Sequence, residues 1–162
     1  MGTRSAKLLR MLSVSVLCVL MLFSAAWASE DVLRVAVIDE APSLDQQVIT
    51  SDLTTMIAIH VFEGLYTFDS KYNPVPMLVK EEEVKDDGKL IVIRLREGVT
   101  FHNGKELTAD DVYASLSRWS QFGSRGSVLF NNIEKMEQTG KYEITLHFKQ
   151  AFAPWKNLLA FM

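Results

Sequence analysis

The chain has 162 residues, a formal net charge of −3 and one cysteine, a length that suits a single domain. Removing residues 1–28, which hold Arg4, Lys7 and Arg10 and no acid, leaves a charge of −6 without a basic block, which argues against a nucleic-acid binder. With 48% hydrophobic and 10% aromatic residues the sequence is too apolar for disorder, and the lone Cys18 lies in that first segment, so the remainder offers no disulfide, thiolate metal site or cysteine nucleophile.

Residues 1–28 read as an address. A basic start is followed by the apolar run Met11–Phe23 and by Ala26-Trp27-Ala28, an A-x-A site that places cleavage between Ala28 and Ser29. The run has 13 residues, short of the ~20 that span a bilayer. Cys18 lies mid-run behind Leu17, a poor context for a lipid anchor. The expectation is a soluble extracytoplasmic product.

The mature chain begins with a β-branched run, Val32–Ile38, that predicts a strand. The turn Ala41-Pro42-Ser43-Leu44-Asp45 follows. Ser51 and Asp52 start a helix over 52–63, with Leu53, Met56, Ile57, His60 and Val61 at helical spacing and Gly64 as its stop. On that stripe His60 reads as a packed, hydrogen-bonded residue. Leu65–Phe68 is a short strand. Val79–Lys85 and Leu90–Leu95, separated by Asp86-Asp87-Gly88, predict a hairpin with a charged edge strand. Thr108 and Asp111 have capping-box spacing ahead of a helix over Ala109–Trp119, whose stripe is Val112, Leu116 and Trp119. Residues 120–127, rich in glycine and serine, read as a loop. A second hairpin pairs Ile133–Gln138 with Tyr142–Phe148, where Tyr142, Ile144, Leu146 and Phe148 alternate with polar residues. Pro154 opens a last apolar helix containing Trp155, Leu158 and Leu159. Because that helix has no polar tail, the expectation is of an interrupted chain.

No pattern makes a convincing catalytic or metal site. His60, His102 and His147 lack ligand spacing. The adjacent Asp110 and Asp111 suit helix capping better than acid–base work. Trp119, Phe122, Phe152 and Trp155 read first as core aromatics.

The stretch Leu95-Arg96-Glu97-Gly98-Val99-Thr100-Phe101-His102-Asn103-Gly104, then Leu107-Thr108-Ala109-Asp110-Asp111-Val112, then Ser115-Leu116-Ser117-Arg118 resembles the bacterial extracellular solute-binding proteins of family 5, which serve peptide, dipeptide and nickel ABC transporters. Phe62-Glu63-Gly64-Leu65 and Pro74–Leu78 agree in order. The resemblance implies an α/β fold: the N-terminal part of the first lobe of a two-lobed periplasmic-binding-protein fold, with a mixed sheet, hairpins and flanking helices, incomplete over 29–162. It implies capture of a short peptide or another small solute and delivery to membrane permease subunits, with no catalysis, cofactor, metal or nucleic acid, in a periplasmic protein exported through the Sec pathway and monomeric at full length. Candidate ligand-wall residues are Ser43, Leu44 and Asp45 in one loop and Trp119, Phe122 and Arg125 in another. The signature residues Phe101, His102, Gly104, Thr108, Asp111 and Val112 are expected to be structural. Two other readings stand beside this one: a non-functional truncated fragment of such a protein, and a small secreted hydrolase using Asp110 and Asp111.

Overall fold

The computed structural model describes residues 33–161. The proposed signal, its Ala28–Ser29 junction and Cys18 lie outside them. Along residues 33–38 the backbone enters no ladder, and Leu33, Val35, Val37 and Ile38 are exposed, Ile38 to 98%. The expected first strand is therefore not formed. A β-branched run has strand propensity, but a strand exists only where another strand supplies its hydrogen bonds.

From Asp39 onward the chain forms one compact unit. Its elements are α1 (Asp52–Ala58), β1 (Tyr66–Phe68), β2 (Pro74–Pro76), β3 (Val79–Lys85), β4 (Leu90–Leu95), α2 (Ala109–Phe122), α3 (Ser124–Phe130), β5 (Ile133–Gly140), β6 (Glu143–Phe148) and α4 (Trp155–Leu159). β1 and β2 make a small ribbon. The other four strands form one sheet in the order β3-β4-β6-β5. The α/β class holds, while every described strand pair is antiparallel rather than mixed. Both hairpins form where the sequence places them. In the first, Asp86, Asp87 and Gly88 all have positive φ, a conformation that aspartate and glycine tolerate best.

The helices cover one face of the sheet. Ile91 and Ile93 of β4 and Ile144 and Leu146 of β6 are buried with Leu116 and Trp119 of α2 and Leu129 of α3 in a single core cluster. β6 alternates as expected, but its other face is not simply wet. Thr145 is buried, and Arg94 of β4 donates to Glu143 at 2.7 Å and to Glu81 at 3.2 Å. The acidic edge strand β3 is thus neutralised by its neighbour. One of its acids turns to the helix side: Glu82 accepts from the Tyr66 hydroxyl at 2.5 Å and pairs with Lys156 of α4. Burial, reinforced by Glu82, pushes the Tyr66 phenol well above its ordinary range. Trp155 meets Tyr66 edge-on at 5.7 Å, so α4 is pinned to β1 and β3 by one apolar and one charged contact.

Two helices depart from expectation. α1 stops at Ala58, before Gly64, and buries Thr54 and Ala58 rather than the larger apolar stripe. Met56, Ile57, Val61 and His60 are exposed, and the His60 ring nitrogen Nδ1 lies 2.7 Å from the Met56 carbonyl on the surface. A small-residue face lets α1 sit close to the Ser43 loop, whose carbonyl accepts from Thr54 Oγ1 at 2.7 Å. The second departure is residues 120–127. α2 runs on to Phe122, and α3 starts at Ser124. The glycines serve close packing here. A Cβ on Gly126 would stand 2.7 Å from the Trp119 carbonyl carbon, and one on Gly123 would stand 2.8 Å from the Gln47 carbonyl oxygen. Composition alone reads such glycines as loop, whereas helices that cross closely also require them.

Glycine to alanine in a helix usually stabilises by up to ~1 kcal/mol. At Gly126 the sign reverses. Gly126→Ala is expected to lower unfolding free energy by about 1–3 kcal/mol through overpacking, measured by urea unfolding. Equal or greater stability would show that α3 does not press on Trp119.

Candidate functional site

The signature segment forms a scaffold around the start of α2. Phe101 N–H donates to the Lys105 carbonyl and Gly104 N–H to the Phe101 carbonyl, both at 2.8 Å, closing a turn in which Gly104 has φ 81°. That turn needs glycine, because a side chain strains there. The His102 ring nitrogen Nε2 lies 3.2 Å from the Val61 carbonyl, tying the turn to the exit of α1. Asp111 Oδ2 accepts from both the N–H and the hydroxyl of Thr108, each at 3.0 Å, so the acid reaches back to the helix start as the spacing predicts. Lys105 adds a 2.7 Å ion pair to Asp111. Glu106 accepts from Tyr142 and Lys141, and Ala109 N–H donates to the Lys141 carbonyl. The signature is therefore knitted to the turn of the second hairpin.

The same helix start and one face of α2 bound a cavity of about 420 Å³. Its walls are apolar, with Leu44, Phe62, Leu65, Leu78, Phe101, Leu107 and Val112 among them, and Asp45, Gln47, Ser115 and Arg118 along its polar side. A wider depression beside it runs along Ile59, Phe62, Phe101 and His102. Phe62 and Phe101 border both.

The polar side is a continuous network. Arg118 donates to both carboxylate oxygens of Asp45, at 3.1 and 2.5 Å, and to Gln47 Oε1 at 2.7 Å. Gln47 Nε2 donates to Ser115 Oγ at 2.7 Å. The Asp45 N–H donates to Ser43 Oγ at 3.0 Å. The Arg118 guanidinium beside Asp45 holds that carboxyl below the usual carboxylate range, and Lys105, then Thr108, do the same for Asp111.

The Ser43–Asp45 loop meets α2 at the cavity through Ser115 and Arg118, while Trp119, Phe122 and Arg125 are not among the residues that line it. Ser43, Leu44 and Asp45 lie against α2 through Gln47 and Arg118. Leu44 is 55% exposed and borders the cavity. Trp119, expected on the wall, is only 2% exposed and belongs to the core beneath Gly126. Phe122, which reads first as core, is 60% exposed, with the Arg118 guanidinium 5.6 Å from its ring centroid. Arg125 lies 4.2 Å over the Phe161 ring, which in turn packs on Phe68 at 4.7 Å. Arg125 has no carboxylate partner among the described residues. Ser115, Arg118 and Gln47 escaped selection as site residues. The visible signal was the spacing Asp111, Ser115, Arg118, Phe122, a second stripe on α2 beside the apolar one. Of the two adjacent acids, Asp110 is exposed while Asp111 is engaged by Thr108 and Lys105.

A model of the family described as bacterial extracellular solute-binding proteins, family 5 Middle, matches residues 73–162, more than half of the chain. The chain belongs to this family. It is 28% identical over 136 residues to a protein of Sinorhizobium fredii named "Probable peptide ABC transporter periplasmic-binding protein y4tO", covering 84% of this chain and 25% of that one. It is 31% identical over 139 residues to the glutathione-binding protein GsiB of Escherichia coli K12, covering 85% of this chain and 27% of GsiB. Among solved structures it resembles the oligopeptide-binding protein AppA from Bacillus subtilis in complex with a nonapeptide, with a TM-score of 0.69 and 29% identity over 78% of this chain and 26% of AppA. The chain thus spans about a quarter of the length of these relatives. No helix among the described residues is long and apolar enough to cross a membrane.

The lowered carboxyls fix the sign of an acid dependence. Asp45 and Asp111 contribute fully above the unfolded value, about 3.9, and that contribution is lost as pH falls through their lower folded values. Thermal unfolding followed from pH 7 to pH 2 is expected to show Asp111→Asn less stable than the parent at neutral pH, with the gap closing towards pH 2. A constant gap would mean that the ion pair and cap contribute nothing through the charge of Asp111.

Proposed function

We propose that this chain is the N-terminal part of the substrate-binding component of an ABC importer, which captures short peptides outside the cytoplasmic membrane for transfer to permease subunits. The observation that carries this reading is the combined likeness in sequence and fold to AppA, whose structure holds a nonapeptide. The name of GsiB points to a peptide-like solute as well. Capture would follow hinge closure, in which ligand stabilises the closed arrangement of two lobes.

The geometry fits such a role as one wall of a larger site. An extended peptide needs apolar surface for varied side chains and a charged group for each end. Leu44 and Phe122 supply exposed apolar surface. Arg125, stacked on Phe161 and without a carboxylate partner among the described residues, suits a peptide carboxylate, since a guanidinium presents a planar fork. Ser43 completes the wall. The protein would be exported by a Sec signal cleaved between Ala28 and Ser29, remain soluble without a lipid anchor, and act as a monomer without cofactor, metal or catalysis.

Mass spectrometry of ligand co-purified with the complete polypeptide is expected to find short peptides. Charged hydrogen bonds contribute about 1.5–3 kcal/mol, so Arg125→Ala is expected to weaken binding of peptides with a free C-terminus by about tenfold or more, and of amidated peptides much less, by titration calorimetry. A non-peptide solute, or equal losses for the two peptide forms, would overturn the corresponding assignment.

A further inference from the structure

We infer that Arg118 is a positioning residue: it locks the Ser43–Gln47 loop onto α2, so that Asp45 serves the scaffold rather than the ligand and the loop presents Leu44 at the cavity. Little else orders this loop. Residues 41–51 contain no helix or strand. Their internal backbone bonds are a tight turn in which the Val48 and Ile49 N–H groups donate to the Asp45 carbonyl at 3.2 and 3.0 Å, and the Gln46 N–H donates to that of Leu44. A turn fixes its own shape but not its place on the fold. That place comes from side-chain tethers, one from the neighbouring α1 and two of long sequence separation from α2.

Thr54, itself fully buried, donates to the Ser43 carbonyl at one end. Arg118 takes Asp45 in a two-pronged ion pair and Gln47 by a third donor. Gln47 then spends its amide on Ser115, one helical turn before Arg118. The planar guanidinium meets both carboxylate oxygens in the fork geometry that a lysine cannot reproduce. Asp45 opens the turn and Gln47 lies within it, so a single arginine holds both the entry and the tip of the loop. Leu44 lies between the tethers at Ser43 and Asp45, with its backbone held on both sides and its side chain more than half exposed at the cavity. An acid already matched by a neighbouring guanidinium has little left to offer a ligand ammonium. That is why Asp45 is assigned to the scaffold.

The purpose of the latch rests on the solute-binding reading, but the latch itself is tested without ligand. Amide hydrogen exchange is measured on the full chain for Arg118→Ala, Arg118→Lys, Asp45→Arg and the swapped pair Asp45→Arg with Arg118→Asp. An exposed ion pair contributes modestly even with good geometry, so Arg118→Ala is expected to speed exchange at Val48 and Ile49 about fivefold, with β4 and β6 unchanged. Arg118→Lys should recover only part of the protection, and the swapped pair should exchange more slowly at these amides than Asp45→Arg alone. Unchanged loop exchange in Arg118→Ala, a uniform rise across the sheet, full recovery by lysine, or a swapped pair no better than Asp45→Arg would each overturn the assignment.

Discussion

The packing of α2 on the β6–β5 side of the four-stranded sheet is the contact on which the rest depends. Ala109, Val112, Leu116 and Trp119 turn inward onto a core shared with β5 and β6. Burying large apolar side chains of this kind contributes about 1.5–3 kcal/mol each. Because side chains on a helix are fixed at 100° intervals, seating that stripe also sets where every other residue of α2 points. Asp111, Ser115 and Arg118 are thereby brought to the flank that faces the cavity, where Ser115 and Arg118 meet the Ser43–Gln47 loop. The polar flank of the cavity is a by-product of core packing, held in register by it.

The start of this helix is over-determined, and the signature motif explains why. Gly104 makes the turn, Thr108 and Asp111 cap the helix, and Glu106 anchors the segment to Lys141 and Tyr142. A family that changes its ligands can vary the loops while keeping this seat unaltered. The same logic accounts for the glycines after α2. Gly123 and Gly126 let α3 fold back onto Trp119, which closes the core and leaves Phe122 and Arg125 outside. Trp119 and Phe122 are three residues apart and both aromatic, yet one is core and the other surface, since the close crossing of α3 covers only one of them.

What was legible in the residues depended on how local the cause was. Both hairpins, the cap at Thr108 and Asp111, and the β6 alternation are dictated by neighbours in sequence, and they form as expected. Residues 32–38 failed as a strand over the part described because a strand needs a distant partner. The face of α1 was misjudged because Thr54 and Ala58 win burial by fitting closely beside the Ser43 loop, against the larger Met56 and Ile57. Arg118 was visible only as part of a motif, since its partners Asp45 and Gln47 lie more than seventy residues away.

The sequence by itself determined the family, the two hairpins and the capped helix, because each is encoded in turn chemistry, periodicity or a contiguous motif. Tertiary structure alone decided that Asp45 is tied to Arg118, that Trp119 is core while Phe122 is surface, and that residues 120–127 pass from one helix into another. The physical reason is common to all three. Ion-pair partners, burial and helix–helix approach are set by groups remote in the chain, and only the folded core brings those groups within reach.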